Sequence, residues 1–132
     1  MQFTKPMVVL AASCGALMAS AAMARGLDAR SVGEVDSIWV ESNSCLGDIG
    51  DELRRAGFHV THNPRNADAA LEVDVFDREY GRYDSSAQYE AKLRGDDGRV
   101  IFTASGTEVA GDYRDVCEDI GDTIAEGLRD MG

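Results

Sequence analysis

Residues 71–76 read LEVDVF, in which Leu71, Val73 and Val75 alternate with Glu72, Asp74 and Phe76. Successive side chains of an extended strand point to opposite faces, so this run predicts a strand with one apolar face. A second alternation, AQYEAKLR at 87–94, predicts a neighbouring strand of the same kind. The Asp-Gly pair at 97–98 is typical of a tight turn leading into another strand. The middle of the chain therefore predicts hairpins with one buried face, to which Leu71, Val73 and Val75 belong.

Two registers are open for the last hairpin. A two-residue turn at 97–98 pairs Leu93 with Phe102, whereas a four-residue loop pairs Leu93 with Val100. Both registers keep apolar side chains on one face of the sheet. The sequence therefore predicts the hairpin but leaves its register undecided.

Two helical patterns flank these strands. The first has apolar residues at three- and four-residue spacings over 46–56, between the N-cap residues Ser-Asn-Ser at 42–44 and the C-cap residue Gly57. Short apolar runs at 35–41 and 58–61 predict a strand on either side of this helix. The second pattern lies near the C-terminus, and its apolar stripe consists of Tyr113, Val116, Cys117, Ile120, Ile124 and Leu128.

These elements follow one another in the order β-α-β-β-β-β-α. Each helix has one apolar face to bury, and the sheet has one apolar face to receive it. We therefore predict an α+β fold, a two-layer sandwich with both helices on one face of a mixed sheet. A chain of 132 residues supports one hydrophobic core, so residues 25–132 are predicted to form a single domain.

Residues 1–24 predict a secretory signal peptide. Lys5 supplies a positive charge, an apolar run follows it, and Ala-Met-Ala at 22–24 fits the small-residue pattern that signal peptidase requires. Cleavage would leave Arg25 at the N-terminus, and the polar residues 25–33 predict a loose segment ahead of the first strand.

A lipoprotein is the alternative. Residues 10–14 read LAASC and resemble a lipoprotein box, which would make Cys14 a lipidated N-terminus. The aliphatic residue of this box lies one position too far upstream, and the apolar run before it is very short. We therefore expect a periplasmic or secreted protein, with anchoring through Cys14 as the second interpretation.

Two cysteines remain after the predicted leader, Cys45 in the first helix and Cys117 on the stripe of the last. An even number of cysteines in an oxidising compartment is most simply a disulfide, and two helices on one sheet face could carry it. By loop-closure entropy, such a bond would contribute about 4 kcal/mol. Two buried thiols or half of a metal site are the alternatives, although no CxxC spacing or nearby histidine pair supports a metal.

Several stretches resemble a group of bacterial envelope modules. They are GFHV at 57–60, NADAALEV at 66–73, LRGDDGRV at 93–100 and the closing helix over 119–128. The pattern is similar to the N-terminal domain of the periplasmic Tol-Pal propeller protein, the curli-secretion lipoprotein family and the lipoprotein activators of cell-wall synthases. Asp97 stands where these families carry a threonine before the hairpin glycine. The resemblance implies a noncatalytic periplasmic module that binds other proteins, and it assigns no binding residue.

Charge and motifs exclude several classes of function. A net charge of −11 disfavours nucleic acid, since affinity for phosphate comes from cationic side chains. The sequence contains no G-x-S-x-G or S-x-x-K signature of a nucleophile and no phosphate-binding glycine spacing. His59 and His62 would point to opposite faces of a strand, which disfavours a shared metal. We expect no catalytic residue, no metal and no cofactor.

Two surface features are candidates for binding a protein partner. The first is an aromatic and arginine-rich stretch around a predicted turn, comprising Phe76, Tyr80, Arg82 and Tyr83, with Tyr89 nearby. Tyrosine and arginine dominate interface energies, although these aromatic residues could instead pair across strands. The second is the acidic outer face of the last helix, which fits either a solvated surface or a patch for a basic partner. It consists of Asp112, Asp115, Glu118, Asp119, Asp122, Glu126 and Asp130.

Three classes of function remain to be compared. The leader, the cysteine pair and the family resemblance favour a noncatalytic periplasmic accessory or adaptor protein that binds another envelope protein. The alternative is a small secreted inhibitor or immunity protein that blocks a hydrolase or toxin. A small hydrolase is disfavoured, because no nucleophile–base pair can be named.

The leader gives a first testable expectation. Because Ala-Met-Ala at 22–24 fits signal peptidase, protein recovered from the periplasm should begin at Arg25. N-terminal sequencing together with intact mass measures this directly. An acylated terminus at Cys14 would show that the lipoprotein interpretation is the correct one.

Overall fold

The computed structural model describes residues 26–132, where five strands form one sheet and two helices cover one face of it. The predicted signal peptide lies outside the described residues. The elements are β1 (Ser37–Ser42), α1 (Leu46–Arg55), β2 (His59–Thr61), β3 (Ala69–Tyr80), β4 (Ser85–Arg94), β5 (Val100–Ala110) and α2 (Tyr113–Met131). The predicted α+β class and the order β-α-β-β-β-β-α are confirmed.

The sheet is mixed, as predicted, with strand order β2-β1-β3-β4-β5. Strand β1 runs parallel to both β2 and β3, while β3, β4 and β5 form an antiparallel meander. Helix α1 connects β1 to β2 over the helix-covered face. The short connection from β2 to β3 packs apart from this core, where Ala67 lies in a small apolar cluster with Trp39 and Ala70. Strands β2 and β5 are left at the edges.

The core fills the space between the helices and the inner face of the sheet. Leu71 of β3 lies opposite Leu93 of β4, and both side chains are fully buried. The helices pack on these two leucines through the apolar stripes that the spacing predicted. The fully buried helix residues include Ile49, Leu53, Ile120, Ile124 and Leu128. The alternation in 71–76 and 87–94 therefore marks the inner face of the sheet.

The last hairpin adopts the register that pairs Leu93 with Phe102. Its loop is longer than two residues, because it contains a 3-10 turn at Asp96–Gly98 and a bulge that lets Arg94 pair with Val100. A Cβ on Gly95 would lie 2.1 Å from the Ala29 carbonyl oxygen, so this close approach requires glycine. The loop thus packs tightly on the N-terminal segment.

That N-terminal segment is ordered, so the prediction of a loose stretch at 25–33 is wrong for its described part. Leu27, Ala29 and Val32 are buried, and the Ala29 amide donates a 3.1 Å hydrogen bond to the Asp68 carbonyl. The apolar residues are spaced singly among polar ones, which gives the segment a polar composition although one side of it is buried.

The start of α1 also differs from the prediction. Cys45 occupies the N-cap with a left-handed φ of 64°, and no side chain caps the helix. Asn43, expected among the capping residues, instead bonds to β3: its Nδ2 donates to the Val75 carbonyl at 2.8 Å, and the Val75 amide donates to its Oδ1 at 2.8 Å. The Asn43 side chain therefore makes the two hydrogen bonds to β3 that the backbone of a further β1 residue would make.

The predicted disulfide between Cys45 and Cys117 is confirmed, with a Cα–Cα distance of 5.2 Å. Gly121 lies one helical turn after Cys117, where α2 crosses α1. A Cβ on Gly121 would lie 3.1 Å from the Ile49 Cα and 3.1 Å from the Asp48 carbonyl oxygen. Both the covalent bond and the glycine therefore hold the two helices in close contact.

This contact gives a matched pair of stability expectations. Gly121→Ala should lower the free energy of unfolding by about 1–2 kcal/mol, because the methyl group pushes the helix backbones apart. Gly47→Ala, at a position with no atom within 4 Å of the added Cβ, should instead raise it by up to about 1 kcal/mol through helix propensity. Urea unfolding of the oxidised proteins measures both, and equal stabilisation by the two variants would contradict the close crossing.

Candidate functional site

The β3–β4 hairpin projects beyond the end of β1. The pairing of β1 with β3 ends at Ser42 and Val73, and the Asn43 side chain extends it to Val75. From residue 76 to residue 84 every residue is exposed. The chain therefore presents the end of this hairpin to the solvent, as the sequence predicted for the turn.

A bulge decides which way the end of the hairpin faces. Asp77 has a left-handed φ of 49°, and the pairing with β4 shifts by one residue between Phe76 and Glu79. Before the bulge, Phe76 lies opposite Gln88 on the open face of the sheet. After it, Tyr80 lies opposite the buried Ser85, so Tyr80 points to the helix-covered face.

Tyr80 packs on the start of α2. Its ring lies 5.3 Å from the Tyr113 ring, centroid to centroid, with a tilt of 51° between the planes. The Tyr113 hydroxyl lies 2.7 Å from the Ser44 Oγ, within hydrogen-bond distance, and 3.8 Å from the Cys45 Sγ. The disulfide, the start of both helices and the end of β3 thus meet in one cluster. Tyr80 nevertheless keeps 67% of its surface exposed.

The turn at 81–84 completes the surface. A Cβ on Gly81 would lie 2.5 Å from the Asp84 carbonyl oxygen, so only glycine fits this tight turn without a shift. Arg82 lies over the ring of Tyr83, with 5.8 Å from the guanidinium carbon to the ring centroid. Tyr83 is 85% exposed. We call Tyr80, Arg82 and Tyr83 the tip surface.

The structure brings together three of the five predicted contact residues. Phe76, 37% exposed, lies on the opposite face of the sheet from Tyr80, so it belongs to another surface. The prediction for Tyr89 needs correction: its side chain is 3% exposed and covers Gly106 of β5 from the helix side. Burial raises the pKa of the Tyr89 phenol, and the nearby Glu108 carboxylate raises it further.

The apolar stripe of the last helix predicts Tyr113 only as a core residue, and no pattern in the sequence indicates its contact with the hairpin. The contact depends on the bulge at Asp77, without which Tyr80 would face the other way. An aspartate in a strand pattern is a weak signal for a bulge, since aspartate also occurs on solvated strand faces. The pairing of the two tyrosines could therefore not be derived from spacing alone.

The acidic face of α2 is solvated. Asp112 is the N-cap of this helix, and its carboxylate accepts a 2.9 Å hydrogen bond from the Asp115 amide. Glu118 lies 3.9 Å from Arg114 in an exposed ion pair. The exposed carboxylates give the helix a negative outer surface next to the tip.

A shallow depression of about 510 Å³ on the open face of the sheet is lined mainly by polar and charged side chains, including Glu72, Glu90 and Lys92. Within residues 26–132 no three histidine, cysteine or carboxylate side chains converge on a point that could hold a metal ion. The same part of the chain contains no helix with the length and apolar character needed to cross a bilayer.

No protein-family model and no curated protein matches this sequence. Solved structures do match its fold. PelC from Paraburkholderia phytofirmans, crystallised as a dodecamer, aligns with a TM-score of 0.51 and 19% identity over 80% of this chain and 89% of PelC. A second crystal form of PelC gives the same TM-score and 16% identity, over 73% and 86% of the two chains. A minor lipoprotein from Acinetobacter baumannii aligns with a TM-score of 0.45 and 13% identity, over 72% of this chain and 91% of the lipoprotein.

The predicted resemblance is confirmed as a resemblance of fold. It extends over most of both chains in the PelC comparison. At 19% identity the likeness carries the architecture alone, and it assigns no residue of the tip surface. The chain therefore has the fold of PelC.

Proposed function

We propose that this protein is a noncatalytic accessory or adaptor protein of the bacterial envelope, and that it binds another envelope protein through the tip surface. The observation that carries the proposal is the exposure of Tyr80, whose ring packs on Tyr113, and of Tyr83 in the turn that follows. Tyrosine offers a large contact area at a small entropic cost, which suits such a surface to an interface.

The location outside the cytoplasm is supported by two independent features. The pattern of residues 1–24 fits an export signal, and the Cys45–Cys117 disulfide requires an oxidising compartment to persist. PelC, which has this fold, forms a dodecamer, so the architecture is compatible with assembly between protein chains. A periplasmic or secreted binding module is the function that agrees with all three.

The rigidity of the tip surface can be measured without a partner. In a double-mutant cycle with Tyr80→Ala and Tyr113→Ala, we expect a coupling energy of about 0.5–1.5 kcal/mol, because the two rings pack against each other. Chemical denaturation of the two single variants and the double variant gives this value. A second cycle with Phe76→Ala and Tyr113→Ala is the control. Its two changes in unfolding free energy should be additive, since Phe76 lies on the other face of the sheet. Additivity in both cycles would contradict a tip held by Tyr113.

The binding role is tested by comparing two kinds of variant. Tyr83→Ala should reduce capture of the partner by at least about tenfold, because a buried interface tyrosine contributes about 2 kcal/mol or more. It should not change stability, since Tyr83 is 85% exposed. Neutralising the acidic helix with Asp115→Asn, Glu118→Gln and Asp122→Asn should mainly slow association, and only at low salt.

The measurement is quantitative affinity capture from the envelope fraction of the producing bacterium, with the full chain as bait. Full capture by Tyr83→Ala and loss by the neutralised helix at physiological salt would place the site on α2 instead. Tight one-to-one capture of a hydrolase or toxin would favour the inhibitor over the adaptor.

A further inference from the structure

Strand β5 forms one edge of the sheet. It is 11 residues long and pairs with β4 along nearly its whole length. In an antiparallel ladder every second residue directs its N–H and C=O away from the neighbour, so the outer side of β5 presents a row of backbone donors and acceptors. Among the described residues no further strand pairs with this side.

Strand β5 lacks the features that protect a sheet edge. It contains no proline, no lysine and no arginine, and Glu108 is its only ionisable residue. The bulge of this hairpin lies at its first residues and leaves the remainder regular. The opposite edge is different, because β2 has only three residues and Pro64 follows closely. One edge of the sheet is thus closed to pairing by its length, whereas the other is long and open.

The surroundings of β5 indicate the charge of a partner. The Thr123 hydroxyl of α2 donates a 3.2 Å hydrogen bond to Glu108, which places this side of α2 beside the outer edge. Residues three, four and seven positions from Thr123 share its side of the helix, and they are the exposed Asp119, Glu126 and Asp130. We call these three residues the acidic row.

A second copy of the chain is disfavoured as the occupant. Two β5 strands paired antiparallel are related by a twofold axis perpendicular to the sheet, which puts the two α2 helices side by side on the same face. The acidic row of each copy would then face that of the other. Like charges so placed oppose association, in a chain whose net charge is already −11.

We propose that the outer edge of β5 is a second docking surface, which accepts an extended, lysine- or arginine-containing segment of a partner protein as a sixth strand. Backbone hydrogen bonds supply the pairing, and the acidic row selects the positive charge. The β5 edge is independent of the tip surface, so it can be tested without the partner proposed for the tip.

The probe is a synthetic peptide of about ten residues, the length of a typical strand, in which lysines alternate with valines and threonines. Two matched peptides serve as controls: one carries glutamate in place of lysine, and the other is N-methylated at every second amide. The full, oxidised chain is titrated with each peptide and followed by fluorescence anisotropy. Hydrogen exchange then locates the bound peptide.

We expect the lysine peptide to bind at least about tenfold more tightly than either control, and to slow amide exchange in β5. Replacing the acidic row by Asp119→Asn, Glu126→Gln and Asp130→Asn should weaken binding by about five- to tenfold. A charge-matched variant on β3 should change it less than about twofold, since β4 separates β3 from the β5 edge. That control combines Asp74→Asn, Asp77→Asn and Glu79→Gln.

Failure of the lysine peptide to bind, equal binding of the N-methylated peptide, or exchange protection elsewhere than β5 would each overturn the proposal. Sedimentation of the chain alone as a dimer with protected β5 amides would identify a second copy as the occupant and overturn it as well. None of these outcomes bears on the tip surface, because Tyr83→Ala is measured against a different partner and should leave peptide binding unchanged.

Discussion

The bond between Cys45 and Cys117 is the constraint on which the rest of the structure depends. It joins the N-cap of α1 to the second turn of α2, across a sequence separation of 72 residues. Gly121 lets the helices approach one turn further along, so both helices are fixed on the same face of the sheet. The tyrosine cluster lies directly above this bond, where Tyr113 contacts both Ser44 and Tyr80. The same disulfide therefore holds the two helices together over the core and supports Tyr80 of the tip surface through Tyr113.

Much of this fold could be predicted because its signals are local. The alternation in β3 and β4, the two apolar helix stripes and the even pair of cysteines all follow from spacing and compartment. What could not be predicted depends on contacts distant in sequence. The bulge at Asp77 reverses the direction of Tyr80, and the Asn43 amide bonds to β3 rather than capping a helix. Each of these outcomes is decided by a neighbour that local periodicity does not reveal.

The two proposed surfaces lie on different parts of the molecule and use different physics. The tip surface relies on rigid aromatic area, which gives affinity when a partner removes it from water. The β5 edge relies on backbone pairing, which any extended segment can supply, and on the acidic row to select a positive charge. An adaptor benefits from such a division, since two partners can be held at once by sites that do not overlap. The negative charge of α2 lies between the two surfaces and would speed the approach of a basic partner to either one.

The central claim is that the disulfide holds the tip surface in place through Tyr113. Hydrogen exchange of the Cys45→Ser/Cys117→Ser variant, compared with the oxidised protein under native conditions, tests it most directly. The account predicts that amide protection falls most at the start of both helices and at residues 76–80. The loop at 95–99, at the other end of the sheet and packed on Ala29, should keep its relative protection. A loss of protection spread evenly over the chain, or one that spares residues 76–80, would contradict the claim.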